Sequence, residues 1–232
     1  MSLCFISNKD LTVPFSDIAR RLKHEGEHIV WLAPSRRWAN WLLEEGWPAD
    51  DVFCLADHEQ EWLDLPLDKA MAELEGLEGE PPATLGNVIQ MCRYLKRSDR
   101  SFSYAYLAVA RRHIEPFLQR KKVEVAFGEG TWGFELMTWL LGRKHGIPVL
   151  TPSSARVPSD RFYFADAVTA NLYAVAEPAA ADRRQAEDFL RTWLDRPVQP
   201  TYMQLHRRGY RAFRSRWLNE LRIALFRPGL DR

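Results

Sequence analysis

The sequence predicts an α/β fold in which a Rossmann-like parallel sheet is flanked by helices. Short apolar runs of strand length alternate along the chain with amphipathic segments of helical period. Glycine and proline residues separate these segments, as is typical of the strand–helix–strand units that build a parallel sheet. With 232 residues, 46% of them apolar, the chain can bury a substantial core, and its formal net charge of +1 argues against nucleic acid as the main partner.

The first quarter of the chain predicts three strands and two helices. Apolar runs over residues 3–7, 28–33 and 51–55 have the length of strands. After the first run, Pro14 suits the first turn of a helix with apolar residues at helical spacing, and Gly26 suits its end. A second helix is predicted around residues 38–46. We expect right-handed βαβ units, because strands joined by a crossover helix almost always take that hand.

The later segments extend this pattern. Residues 57–79 are acidic and predict short helices, residues 80–83 predict a linker, and residues 84–97 and 101–119 predict two longer helices. A further βαβ unit is predicted from a strand at 123–127, a helix at 131–145 and a strand at 147–151. Short strand-forming segments follow at 162–164 and 171–175, and a helix is predicted at 182–194.

The chain divides by composition into a Rossmann-like domain over residues 1–200 and a basic amphipathic helix over residues 201–232. In the second part, apolar residues from Tyr202 to Leu225 recur on one helical face, and arginines greatly outnumber acidic residues. Two interpretations remain open for this segment. It is either the solvated outer face of an ordinary helix or a contact with an anionic membrane surface or a polyanionic glycan.

The cysteines and the N-terminus predict a cytoplasmic protein. Cys4, Cys54 and Cys92 share no spacing typical of a metal or redox site, so we expect reduced, buried thiols. The N-terminus lacks the basic segment and apolar stretch of a signal peptide, and no apolar run approaches the roughly 20 residues that span a bilayer. Peripheral contact with the inner membrane, through the basic C-terminal helix, is the refinement that this prediction leaves open.

A glycine-rich turn joins the strand predicted at 123–127 to the following helix. Within VEVAFGEGTWGFE, Gly128, Gly130 and Gly133 have the G-x-G-x-x-G spacing of a dinucleotide-binding turn. Three features argue against that use: Glu129 brings negative charge toward a pyrophosphate, the first βα turn lacks glycine, and the next strand ends without an acidic residue for the ribose. A nucleotide-cofactor enzyme is therefore only a third hypothesis, and we expect no cofactor.

Several loops expected at the carboxyl edge of the sheet carry polar side chains, and ligands of parallel sheets bind at that edge. These side chains are Asn8, Lys9, Asp10, Arg36, Glu129, Thr131, Ser153, Ser154, Arg156 and Arg161. Glu129 and Asp10 are candidate general bases, and the glycines beside Glu129 would let a ligand approach the backbone closely. Alternatively, Glu129 pairs with Arg156 or Arg161 to join two loops, and Asp10 caps the following helix.

Other catalytic chemistries find no support in the sequence. The histidines at positions 24, 28, 113, 145 and 206 fall in predicted helices or at their ends, away from any loop that would carry a nucleophile. Ser-His-Asp and Cys-His catalysis are therefore not indicated. The spacing of metal ligands is equally absent, and we expect no metal site.

Two segments resemble bacterial capsule and lipopolysaccharide biosynthesis proteins with a GT-B glycosyltransferase fold. The first fits the pattern G-E-x-T-W-x-x-E-L at Gly128, Glu129, Thr131, Trp132, Glu135 and Leu136. The second fits a pattern built on G-I-P and R-I-P-x-x-R-F-x-F at Gly146, Ile147, Pro148, Arg156, Pro158, Arg161, Phe162 and Phe164. The opening segment from Ile6 to Ser35 is also similar to the start of a GT-B chain, and the resemblance extends to about Pro200.

The resemblance implies the acceptor-side half of such an enzyme, with the nucleotide-sugar donor bound mainly by a second domain or subunit. It implies transfer of a sugar to a glycan hydroxyl, with Glu129 or Asp10 as base. The implied substrate-binding residues are Asn8, Lys9, Gly128, Gly130, Thr131, Ser153, Ser154, Arg156 and Arg161, the two arginines orienting an anionic group. We expect the chain to be inactive alone. The alternative is a non-catalytic domain of the same pathway that binds a glycan or a partner through this cleft.

Overall fold

The computed structural model describes residues 1–155, 162–173, 177 and 179–197, without the side chains of Asp10 and Ser154. It confirms the predicted α/β class. In this part of the chain one sheet has the strand order β3-β2-β1-β4-β5-β6. The strands are β1 (Ser2–Ile6), β2 (His28–Ala33), β3 (Val52–Cys54), β4 (Val125–Phe127), β5 (Val149–Ser154) and β6 (Phe162–Asp166).

The strand β1 lies at the centre of the sheet and pairs in parallel with β2 on one side and β4 on the other. The pairs of β2 with β3 and of β4 with β5 are also parallel. The chain therefore builds outward from β1 through β2 to β3, then crosses back to place β4 against the free edge of β1. This reversal makes the boundary between β1 and β4 the topological switch point, where ligands of such sheets bind.

Helices connect the strands as the sequence predicts, with changes at some boundaries. They are α1 (Thr12–His24), α2 (Arg36–Glu44), α3 (Glu59–Asp64), α4 (Leu67–Leu74), α5 (Leu85–Met91), α6 (Arg100–Arg120), α7 (Gly133–His145) and α8 (Ala180–Asp195). The helix predicted over 84–97 is shorter: α5 ends before Cys92, whose backbone is extended, and a separate 3-10 turn follows at Leu95–Arg97. Of the strand predicted at 171–175, the described residues 171–173 contain only an isolated bridge.

The core has two halves, one on each face of the sheet. Successive side chains of a strand point to opposite faces. Thus Cys4 and Ile6 of β1 pack in a cluster with residues of α4, α5, α6 and α7, whereas Leu3 and Phe5 pack with residues of α1 and α2. Consequently α1 and α7, which follow the neighbouring strands β1 and β4, cover opposite faces, as a switch point requires.

The chain divides into two compact units. The first comprises Met1–Pro152 and Ala165–Asn171, and it contains β1 to β4 and α1 to α7. The second comprises Ser153–Phe164 and the chain from Leu172 onward; α8 is its described helix. The predicted basic helix at 201–232 lies outside the described residues. None of the helices that the structure describes is long and apolar enough to cross a membrane.

Candidate functional site

Two loops meet at the switch point, one after β1 and one after β4. The Asn8 side chain, only 5% exposed, comes from the first loop, and the exposed Glu129 comes from the second. The Asn8 Nδ2 donates a hydrogen bond of 2.7 Å to Oε2 of the Glu129 carboxylate. The structure thus brings together two predicted site residues that lie 121 positions apart in the sequence.

A buried carboxylate determines the shape of the second loop. The Glu135 side chain, fully buried in the first turn of α7, accepts backbone N–H bonds from Glu129 at 3.1 Å, Thr131 at 2.9 Å and Trp132 at 3.1 Å. The Thr131 hydroxyl also donates to it at 3.3 Å. Burial raises the pKa of Glu135, while the three N–H groups oppose this rise because they favour the charged form.

These bonds bear directly on the dinucleotide hypothesis. In a dinucleotide-binding turn, free backbone N–H groups at the start of the helix receive the pyrophosphate. Here the same kind of groups, on Glu129, Thr131 and Trp132, already donate to the Glu135 carboxylate. A phosphate would have to displace a buried, negatively charged side chain to reach them. The geometry therefore argues against phosphate binding in this turn.

The glycines of the turn are accounted for by packing inside the protein. Gly130 has a φ of +68°, and a Cβ added there would lie 2.1 Å from the carbonyl oxygen of Ala167. A Cβ on Gly128 would lie 3.0 Å from Cδ1 of Ile6, and Gly128 and Gly130 are both buried. The sequence predicts that these glycines give a ligand access to the backbone. The structure shows that protein atoms already lie where their Cβ atoms would stand, and binding of substrate by these glycines stays a prediction.

Asn8 is held from both sides. Its Oδ1 accepts a 3.0 Å bond from Nε1 of Trp132, while its Nδ2 donates to Glu129. An indole N–H is only a donor and an ionised carboxylate only an acceptor, so these two partners fix which end of the amide is oxygen. The Lys9 ammonium lies 5.2 Å from the centre of a Trp132 ring, on a residue with a φ of +45°. Lys9 thus places positive charge near the same loop.

The remaining predicted site residues are divided between places. Thr131 contacts Glu135 through its backbone N–H and its hydroxyl, as described above. Asp10 lies in the 3-10 turn Lys9–Leu11, and Ser153 is half-buried in the second unit. Arg156 and Arg161 lie outside the described residues, and with them the predicted ion pair to Glu129.

Arg36, a further residue of the predicted cleft, forms ion pairs with residues that follow β3. Its guanidinium binds Asp57 at 3.0 Å and Glu59 at 3.6 Å, and donates to the carbonyl of Ala56. These partners engage the side chain of Arg36, and its place in a ligand-binding cleft stays a prediction.

Glu135 and Trp132 are the site residues whose structural roles the sequence reasoning missed. Both belong to the G-E-x-T-W-x-x-E-L pattern, which by itself does not place them at the site. The available signal was the position of Glu135, three residues after the residue that precedes α7, from which a glutamate can reach back to backbone N–H groups. Asn8, Trp132 and Glu135 hold the loop that carries Glu129 in place. The Glu129 carboxylate can accept a hydrogen bond or a proton from a hydroxyl group.

No protein-family model matches the chain, and the comparison with curated proteins also gives no match. Among solved structures, the chain is similar to the crystal structure of Acinetobacter baumannii MurG, with 14% sequence identity and a TM-score of 0.37. The similarity covers 77% of this chain and 43% of the MurG chain, so this chain spans less than half the length of MurG. The assignment of the α/β class rests on the strand order and the helices of the chain itself.

Proposed function

We propose that this chain is the acceptor-binding half of a nucleotide-sugar-dependent glycosyltransferase that acts in bacterial capsule or lipopolysaccharide biosynthesis. The observation that carries the proposal is the Glu129 carboxylate at the switch point, held by Asn8 at 2.7 Å on a loop that Glu135 braces. The resemblance of the segments around Glu129 and Arg161 to GT-B proteins of these pathways supports the choice of reaction.

In the proposed reaction, Glu129 acts as the general base toward an acceptor hydroxyl. The hydroxyl oxygen attacks the anomeric carbon of the nucleotide sugar, the bond to the nucleotide diphosphate breaks, and Glu129 takes the proton of the hydroxyl. Asp10, in the turn after β1, is the second candidate for this role. Arg156 and Arg161 orient an anionic group of the glycan or the donor, and a second domain or subunit binds the nucleotide.

Glu129→Gln is the substitution that tests this proposal, because it keeps the shape of the side chain and removes its ability to take a proton. In the bacterium that carries the gene, we expect the variant to lose most of the surface polysaccharide, since a general base contributes about 10²- to 10⁴-fold to a rate. Gel electrophoresis and mass spectrometry of the polysaccharide measure this loss. Glu44→Gln, at the exposed end of α2, is the matched control and is expected to leave the polysaccharide unchanged.

Binding separates catalysis from the alternative of a non-catalytic glycan-binding domain. Calorimetry with polysaccharide from the parent strain compares the purified wild-type and Glu129→Gln chains. Lost polysaccharide with unchanged glycan binding supports a base, whereas a parallel loss of binding supports the binding domain. If the Glu129→Gln strain makes normal polysaccharide, Glu129 is not the base.

A further inference from the structure

Two histidines and a glutamate converge on one point away from the switch point. His58 ends a 3-10 turn after β3, Glu61 lies in α3, and His113 lies in α6. The ring nitrogens His58 Nδ1 and His113 Nε2 approach Oε1 of Glu61 at 2.7 Å and 2.9 Å. The three side chains are between 25% and 35% exposed, so the cluster is partly accessible to solvent.

The neighbours of the cluster fix its members in place. The Arg112 Nη1 binds Oε2 of Glu61 at 2.6 Å, and His113 Nε2 lies 2.9 Å from the same oxygen. The two imidazole rings stack, with centroids 3.5 Å apart, and Phe53 also stacks with His58, with centroids 5.7 Å apart. Hydrogen bonds from these histidines and Arg112 outweigh burial and lower the pKa of Glu61 to about 2, so the carboxylate is ionised at neutral pH.

From this geometry we infer that His58, Glu61 and His113 form a binding site for a divalent transition metal ion, of which Zn²⁺ fits best. Two imidazole nitrogens and one carboxylate oxygen are ligands that Zn²⁺ takes at about 2.0–2.2 Å, and three protein ligands leave a fourth position open. In tetrahedral geometry these ligand atoms would stand about 3.3 Å apart, so the two nitrogen–oxygen separations of 2.7 Å and 2.9 Å need to widen by about 0.5 Å.

The proton balance of binding is simple. In the metal-free protein each imidazole that donates to Glu61 carries its proton on the nitrogen that faces the carboxylate. On binding, Zn²⁺ takes the place of those protons, which move to the other ring nitrogen or to solvent. Arg112 keeps its bond to Oε2 of Glu61, which leaves Oε1 for the metal. The Glu61 carboxylate can therefore bind the metal through Oε1 while Oε2 stays paired with Arg112.

Titration of the full, tag-free chain with Zn²⁺ against a chromophoric chelator tests the site. We expect one Zn²⁺ per chain, and we expect His58→Gln and His113→Gln each to weaken binding at least about 10-fold. His145→Gln is the matched control, because His145 is also half-buried beside a glutamate, Glu115, but lies outside the cluster. Its affinity for Zn²⁺ should equal that of the wild type. Thermal unfolding of each variant checks that loss of binding is not loss of the fold.

X-ray absorption on the Zn²⁺-loaded wild-type chain identifies the ligands without any substitution. We expect nitrogen and oxygen neighbours with the scattering pattern of imidazole. Sulfur neighbours would show that the cysteines bind the metal instead, and would overturn the proposal. Absence of saturable binding to the wild type, or unchanged binding in both His58→Gln and His113→Gln, would also overturn it and leave a hydrogen-bonded cluster only.

Discussion

Replacing Glu135 with alanine should destabilise the protein far more than an ordinary substitution in a loop. The change deprives three backbone N–H groups, on Glu129, Thr131 and Trp132, of their acceptor. Each such loss costs about 1 kcal/mol, and the one missing methylene group adds about 0.8 kcal/mol of lost burial. Burial also raises the pKa of Glu135, so alanine removes a charge that was costly to bury. The net expected loss is about 3 kcal/mol of unfolding free energy.

Urea unfolding, followed by the fluorescence of the nine tryptophans, measures this loss. In a thermal melt the same change should lower Tm by about 6–12 °C for a chain of this size. Glu129→Ala is the control within the same loop, because Glu129 is exposed and accepts one described hydrogen bond, from Asn8. It should cost less than about 1 kcal/mol. If Glu135→Ala unfolds at the same urea concentration as Glu129→Ala, the Glu135 carboxylate does not brace the loop.

Two further substitutions test packing and charge elsewhere in the first unit. Gly130→Ala should lower the free energy of unfolding by about 3 kcal/mol, because its Cβ would meet the carbonyl of Ala167 and the residue has a positive φ. The control Gly46→Ala, which has a positive φ but open space around it, should lower it by about 1 kcal/mol. Equal urea midpoints for the two variants would refute the steric argument. Burial opposes ionisation of Glu115, yet hydrogen bonds from Lys144, His145 and Arg111 to its carboxylate lower its pKa. The ionised Glu115 therefore contributes about 1 kcal/mol to the free energy of unfolding above the ordinary pKa of a glutamate, and this contribution is lost as pH falls. Unfolding midpoints of wild type and Glu115→Gln should differ at neutral pH and converge in acid, and a gap that persists in acid would contradict this.

The fold could be predicted from sequence where local pattern and tertiary packing agree. The strand β2 has the predicted bounds, because an apolar run is followed directly by Pro34. The strands β4 and β5 each begin two residues later than predicted. In both cases the backbone N–H of the first apolar residue, Val123 or Ile147, bonds back to a carbonyl of the preceding helix. Val123 and Ile147 thus belong to the ends of the preceding helices and the strands begin after them. A count of apolar residues does not reveal this boundary.

The site was predictable only in part. Parallel topology places the loops of Asn8 and Glu129 side by side, and the structure has them in contact. The choice of partners was not predictable, because it depends on side-chain reach across 121 positions of sequence. The cluster of His58, Glu61 and His113 shows the same limit. Its first two members are three residues apart, but the third is 52 residues beyond Glu61 and joins them only because α3 and α6 pack together.

The contacts of the loop also favour one class of ligand over another. Two carboxylates, Glu129 and Glu135, lie within hydrogen-bonding range of one Asn8 amide, at 2.7 Å and 3.4 Å. The backbone N–H groups that would favour an anion are already donated to Glu135. A phosphate approaching Glu129 would therefore meet negative charge in place of free donors. A hydroxyl group can donate to the Glu129 carboxylate without that repulsion, so this loop suits a hydroxyl group better than a phosphate.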